Sequence, residues 1–379
     1  MKKLVTITGG TGGWGVLEGL KNYDLDLRSI VSMADNGGRT GQLRDRFGVL
    51  PAGDLRRCLA ALAETENGHN YLRELFLYDL KNHPGDLGEE CLGDLVQYAL
   101  KEKYPDEIYG VWAKMVSLDP DAADLFDFKF GGQMPVADHS LGNLIINAAE
   151  LKYGNMAEGI KKLSKLLKLK GRVYPVSLED YHLAADLEDG SIIIGETNID
   201  RPNGERAPIH KIKLGKLEGD TFKESRVEVY KKSAESIERA DLIIIGPGDL
   251  YTSILPSLLV EGVTKAIRDG GAKIVGVCNL MTKHGETDEY KASDFKSKLE
   301  SYLGQPLDYF ICNQNSLTPT VLDYYAREQR QYAVEADLPI NSKGLILGHF
   351  VSDEELKEGH IRHDPYKLAK ELIQIADNI

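Results

Sequence analysis

The chain has 379 residues, with 46 Lys and Arg against 59 Asp and Glu, and its formal net charge of −13 excludes the basic footprint of a non-specific nucleic-acid binder. Hydrophobic residues make up 42 % and charged residues 28 %, a globular balance rather than a disordered one, over a length that calls for one large or two coupled domains. No apolar run approaches the ~20 residues of a membrane span.

The chain opens on Leu4-Val5-Thr6-Ile7-Thr8, a β-branched run that predicts a strand. Its short apolar stretch runs straight into glycines, unlike a signal peptide, so a cytoplasmic protein is expected. The loop GGTGGWG follows at 9–15, then a helical pattern through Val16, Leu17 and Leu20. Within the loop, Gly10-x-Gly12-x-x-Gly15 matches the dinucleotide fingerprint in its strand–loop–helix setting. There, glycines let the backbone approach a phosphate held by the helix N-terminus. The same glycines also suit a plain tight turn, but five of them within seven residues favour a ligand loop.

A second strand, Ser29–Met33, ends at Asp35, 20 residues beyond Gly15, where a ribose-binding carboxylate would stand. The loop 34–57 is rich in Gly, Asp and Arg. Arg39, Arg44, Arg46 and Arg56 point to recognition of phosphate or carboxylate, although Arg44 and Arg46 flank Asp45 and also fit surface ion pairs. Asp35 and Asp54 are candidates to hold Mg²⁺, with Asp54 equally suited to capping the helix that follows it. No resident cofactor is otherwise indicated.

Residues 54–80 read as helical, and 84–135, acidic and punctuated by prolines, as a partly helical insertion that covers the site. A helix is expected over His139–Leu151. His139-Ser140 has no GxSxG around it, and neighbouring helical residues do not face each other, which argues against hydrolase chemistry. The Asp189-Gly190 turn between two alternating runs predicts a hairpin. Further on, ADLIIIGPGDLYTSILPSLL at 240–259 is a buried strand entering a second anion loop, with a capping turn as the plain alternative. CNLMTKHGETDEY at 278–290 ends another strand with Asn279, Thr282, Glu286, Thr287 and Asp288, side chains able to reach a sugar, base or metal. His360 and His363 stand at helical spacing without an evident third ligand. The four cysteines, Cys58, Cys91, Cys278 and Cys312, form no CxxC pair and suit reduced thiols. An amphipathic helix over Pro365–Ala376 closes the chain. The expected fold is α/β: a single domain over 1–379 built on a Rossmann-like, mostly parallel sheet with helices on both faces, a β-rich middle section and the helical insertion.

Seven ordered segments together resemble the CofD/YvcK family: GGTGG at 9–13, ADNGGRTGQLR at 34–44, GVLPAGDLRRCLAALAE at 48–64, HSLGNL at 139–144, GETNI at 195–199, GPGDLYTSILPSLL at 246–259 and CNLMTKHGETDEY at 278–290. The YvcK branch, the gluconeogenesis factors, is the nearer one. The resemblance implies a UDP-sugar-binding protein that influences carbon metabolism and cell shape. For the CofD branch it implies transfer of a 2-phospho-L-lactyl group from a nucleotide-linked donor to a deazaflavin. It puts the ligand at Gly10, Thr11, Gly12, Gly13, Asp35, Asn36 and Gly37, at Asn143, and at the loop Gly248, Asp249, Tyr251, Thr252 and Ser253. Two departures stand out: Arg39-Thr40 replaces a usual pair of serines, and most of 84–135 is extra. Tyr324 and Tyr325 both remain candidates to stack on a uracil. The implied partner is a UDP-sugar or another nucleotide diphosphate, without nucleic acid or a membrane span, and a homo-oligomer is compatible with it. A nicotinamide-dependent dehydrogenase rests on the glycine fingerprint and Asp35 alone, and the Gly- and Arg-rich loop after Asp35 disfavours it.

Overall fold

The computed structural model describes residues 1–65, 70–81, 83–118, 120–219, 221–314, 317 and 319–379. Seven parallel strands form the main sheet: β1 (Lys2–Thr8), β2 (Leu25–Val31), β3 (Arg172–Pro175), β8 (Leu242–Ile245), β9 (Lys273–Val277), β10 (Tyr309–Asn313) and β11 (Leu345–Gly348). Between β3 and β8 the chain builds a separate antiparallel sheet from β4 (His182–Leu187), β5 (Ile192–Ile194), β6 (Ile209–Glu218) and β7 (Thr221–Glu224). The predicted hairpin is there: β4 turns into β5 through Gly190, at φ 85°.

The order of the main sheet is β11-β10-β9-β8-β1-β2-β3. The chain therefore builds outward from β1 in one direction and, after the small sheet, outward from β1 in the other. This reversal leaves a crevice at the carboxyl ends of β1 and β8, the place where parallel α/β sheets collect ligands. Ile7 pairs with Ile245, so the loops after the two strands leave the sheet side by side. The inner strands read as continuous apolar runs because both sheet faces are covered; every residue of β8 is buried.

Helices surround the sheet. Those near the crevice are α1 (Gly10–Leu20), α2 (Gly38–Phe47) and α3 (Gly53–Leu62). The helical stretch expected over 54–80 is two helices, α3 and α4 (Tyr71–Phe76), and part of the break, 66–69, lies outside the described residues. Residues 84–135 hold α5 (Leu92–Lys103), α6 (Ile108–Leu118) and α7 (Pro120–Phe126); Asp119, one of the acidic residues of this segment, is outside the described ones. Trp112 packs on Phe126 at 5.2 Å, and Phe130 reaches Phe47 of α2 at 5.0 Å, tying the segment to the helix that follows the Asp35 loop. Next comes α8 (Leu141–Tyr153), two residues later than expected because Ser140 is its N-cap. The last helix spans Pro365–Asp377 and packs against α1, where Gly19 leaves room for the Pro365 carbonyl.

Candidate functional site

Three helical turns begin at the crevice, and each meets a carboxylate of the protein itself. At the first, Asp54 lies against the opening turn of α1: a Cβ on Gly10 would sit 2.3 Å from Asp54 Oδ1, and the Gly10 N–H helps to hold its charge. At the second, Asp35 Oδ1 accepts the Gly37 N–H at 2.8 Å where α2 begins. At the third, Glu286 accepts the Tyr251 N–H at 3.0 Å and the Thr252 hydroxyl at 3.0 Å, in the π-turn Leu250–Ile254 that follows β8. Free N–H groups at helix starts favour anions, so these positions suit carboxylates as they suit phosphates.

The carboxylates crowd one another. Desolvation and the nearby Asp35 push Asp54 up to about 7. Glu196, from the GETNI segment, is pushed up to about 8 by desolvation, Asp35 and Asp200. Burial raises Asp35 and Asp249 as well, and burial with Asp249 nearby raises Glu286 strongly. Lys283 and Arg57 are among the cations that offset this charge, with Arg44 acting on Asp35 and Arg206 on Glu286 and Asp200. Lys283 Nζ lies 2.8 Å from Asp200 and 3.6 Å from Asp249; burial alone would lower its pKa, but these two carboxylates outweigh it and hold it charged. Arg57 donates to the Thr11 hydroxyl and flanks Gly10. Ligand oxygens of Asp200, Asp249 and Glu286 all fall within 4.8 Å of one another, and the Lys283 ammonium already serves two of the three as their cation.

Beside this ring lies the start of α8. His139 is fully buried with no partner on either ring nitrogen, and burial pushes it down to about 4, so it is neutral. Ser140 Oγ, Asn143 Oδ1 and Arg56 Nε are also buried without partners. Buried polar groups are normally satisfied, and these four gather around one helix start, where Gly142 meets the Arg56 side chain. His139 and Ser140 do not bond to each other, in keeping with the argument against a hydrolase.

The residues expected at the site fare differently. Gly10, Thr11 and Gly13 stand at the opening of α1, and Ser253 sits beside Gly9. Gly12 faces the third loop: a Cβ there would lie 2.1 Å from the Pro247 carbonyl oxygen, so backbone packing alone demands glycine. Asn36 turns its side-chain oxygen to the Thr197 N–H (3.0 Å) and hydroxyl (3.1 Å), fastening the Asp35 loop to the short helix Glu196–Asp200 that follows β5. Asn279 donates to the Gly248 carbonyl at 2.9 Å. The Tyr251 ring is fully buried with its hydroxyl 2.7 Å from that of Tyr290, which leaves only its backbone at the loop. Among the arginines, Arg39 pairs with Asp138 at 2.9 Å. Arg44 is structural, holding the Asp35 and Tyr181 carbonyls and Asp180. Arg56 donates to the Phe76 carbonyl.

Asp54 does not cap its own helix: the cap position is Ala52, without a side-chain bond. Arg57, not one of the four arginines that the sequence singles out, is the guanidinium that reaches the first loop. Its i, i+3 spacing from Asp54 puts both on one helical face and could have found it. Local pattern marks none of Glu196, Asp200 and Lys283, although Glu196 lies in GETNI and Lys283 in CNLMTKHGETDEY.

Fold and site define a parallel α/β protein with an acidic crevice where its sheet order reverses. The chain belongs to the CofD family, described as 2-phospho-L-lactate transferase CofD, which it matches over residues 4–347. It is 35 % identical over 378 residues to a putative gluconeogenesis factor of Thermotoga maritima, covering 99 % of each chain. To the gluconeogenesis factor of Bacillus subtilis it is 30 % identical, covering 98 % of each. A crystal structure of a upf0052-family member from Bacillus halodurans superposes with a TM-score of 0.76 at 30 % identity, covering 98 % of this chain and 99 % of that one. Among the described residues, no helix is long and apolar enough to cross a membrane.

Proposed function

We propose that this protein binds a nucleotide-diphosphate-linked ligand, a UDP-sugar, at the carboxyl ends of β1, β2 and β8, together with Mg²⁺, and acts as a regulatory protein of the gluconeogenesis-factor type. The observation that carries this reading is the ring of Asp35, Asp54, Glu196, Asp200, Asp249 and Glu286 gathered around the three helix starts where a diphosphate would lie. A diphosphate and this ring repel each other. A divalent cation removes the conflict, because Mg²⁺ takes one or two carboxylate oxygens and completes its shell with phosphate oxygens and water. Asp35 and Asp54 are the side chains for that ion, with Arg57 and Lys283 balancing the remaining charge. The unpartnered His139, Ser140 and Asn143 supply polar contacts beside it.

The family match supports a second reading, a transferase that moves a 2-phospho-L-lactyl group from a nucleotide-linked donor to a deazaflavin. The same residues would then position a phosphate, and a bound Mg²⁺ would neutralise charge developing on it. A thermal-shift panel of UDP-N-acetylglucosamine, GDP, NAD and a deazaflavin, with and without Mg²⁺, separates the readings, since a ligand bound to the native state stabilises it by RT ln(1 + [L]/Kd). The first reading expects the largest shift from the UDP-sugar with Mg²⁺. Equal shifts for NAD and UDP-sugar, or a shift for NAD alone, overturn it, and joint stabilisation by GDP and the deazaflavin favours the transferase.

A further inference from the structure

We infer that Cys278 and Cys312 are a redox-active pair that closes to a reversible disulfide on the wall of the cavity next to the anion loop. The sheet register brings them together. Val277 of β9 faces Ile311 of β10, and the Cys278 N–H continues the ladder to the Ile311 carbonyl at 2.9 Å, so Cys278 and Cys312 face each other across adjacent strands. Adjacent strands lie about 4.8 Å apart, inside the Cα separation of roughly 4.4–6.8 Å that a disulfide spans. Both side chains are free thiols, and the Cys312 thiol is close enough to be the largest influence on the Cys278 thiol, raising its pKa.

Both cysteines are buried, yet both line a small cavity, with room for about one water-sized molecule, at the carboxyl ends of β9 and β10, together with Asn279 and Asn313. Its size is on the scale of a small neutral oxidant and not of a larger thiol reagent. The other two cysteines differ: Cys58 lies in the core against Ser29, and Cys91 stands at the start of α5 against Asp94. In reducing compartments, disulfides that do form are usually transient or redox-sensing.

The co-reactant is a peroxide. One sulfur attacks a peroxide oxygen, the O–O bond breaks, and a sulfenic acid and one water result. The second thiol then attacks that sulfur, the S–S bond forms, and the departing oxygen leaves as a second water carrying the thiol proton. Two thiols are oxidised by two electrons and one peroxide is reduced to two waters. The neighbouring Cys312 thiol and burial hold Cys278 protonated, so the reaction is slow and the test is run to completion. Closure would draw the strand ends together beside Asn279, whose amide holds the Gly248 carbonyl. The linkage to ligand binding rests on the proposed UDP-sugar reading; the disulfide does not.

The native full-length protein is treated with hydrogen peroxide until its mass is constant, alkylated under denaturing conditions, digested without reductant and mapped by mass spectrometry. The expected product is a species two hydrogens lighter, with the Cys278 and Cys312 peptides linked, that dithiothreitol returns to four free thiols. Cys312→Ser should abolish the link and leave a sulfenic acid on Cys278 that dimedone traps. Four free thiols after treatment, or oxidation confined to Cys91, overturns the pair. In a separate arm, the oxidised protein should bind UDP-N-acetylglucosamine at least about fivefold more weakly than the reduced protein. A linked pair with unchanged affinity overturns the coupling, whereas no binding in either state overturns the ligand reading instead.

Discussion

Asp54 and Gly10 meet at the mouth of the crevice, where a methyl group on Gly10 would come within 2.3 Å of Asp54 Oδ1. The glycine is there to admit a carboxylate of the protein itself. An aspartate on α3 thus occupies the start of α1, and its pKa of about 7 records the conflict between that helix end, which favours its charge, and desolvation with Asp35, which opposes it. A cation arriving between Asp35 and Asp54 would resolve the conflict.

Asp54→Asn is therefore expected to cost ligand binding but not stability. At pH 8 its melting temperature without ligand should equal or exceed that of the wild type, since a crowded charge is gone. The added stabilisation that Mg²⁺ gives with UDP-N-acetylglucosamine should disappear. Differential scanning fluorimetry reads both, and a variant that keeps the full Mg²⁺ effect removes Asp54 from the site.

The pH dependence has a definite sign. Asp54 and Glu196 hold their protons to about 7 and about 8 in the folded protein, against roughly 4 for unfolded carboxylates. The native state binds the extra protons, so stability without metal should fall as pH rises from about 4 to about 8 and then level off. Metal binding displaces those protons, so Mg²⁺ affinity should rise over about pH 6–8. Calorimetric titrations at several pH values check this, and Glu196→Gln should flatten the upper part of the profile.

Gly12→Ala tests backbone packing. The new methyl meets the Pro247 carbonyl, with an expected cost of about 1–3 kcal/mol from overpacking. Urea denaturation should show that loss in ligand-free protein. An unchanged midpoint would mean that the two loops part easily.

Arg57→Ala and Arg44→Ala should differ in kind. Loss of Arg57, which contacts Thr11 at the first loop, should weaken UDP-sugar binding about tenfold or more, the scale of a charge-assisted contact, with a small effect on unfolding. Loss of Arg44 strands the Asp35 and Tyr181 carbonyls and should destabilise the fold by about 2–3 kcal/mol. Paired denaturation and binding measurements separate them, and equal effects on both would contradict the assignment.

Much of the architecture is legible in the chain itself. The β-branched run before Gly9, the apolar LIII of β8 and the Asp189-Gly190 turn carry their structure in local periodicity and turn chemistry, and each forms where that chemistry puts it. The glycine loops at 9–15 and 246–248 likewise announce a crevice at the carboxyl ends of their strands. What local pattern does not carry is which polar group faces that crevice. Asp54 reads as the cap of the helix it begins, yet it serves α1; Tyr251 reads as a loop ligand, yet its ring is core; Arg44 and Arg57 look alike in sequence, yet one staples a backbone and the other reaches the loop. Those choices follow from the pairing of β1 with β8 and the docking of α3 against α1, contacts between segments distant or merely adjacent in the chain whose relative placement no local period encodes. Only when the sheet closes do Asp35, Asp54 and Glu196, drawn from three separate segments, come near enough for Asp35 to push the pKa of the other two up.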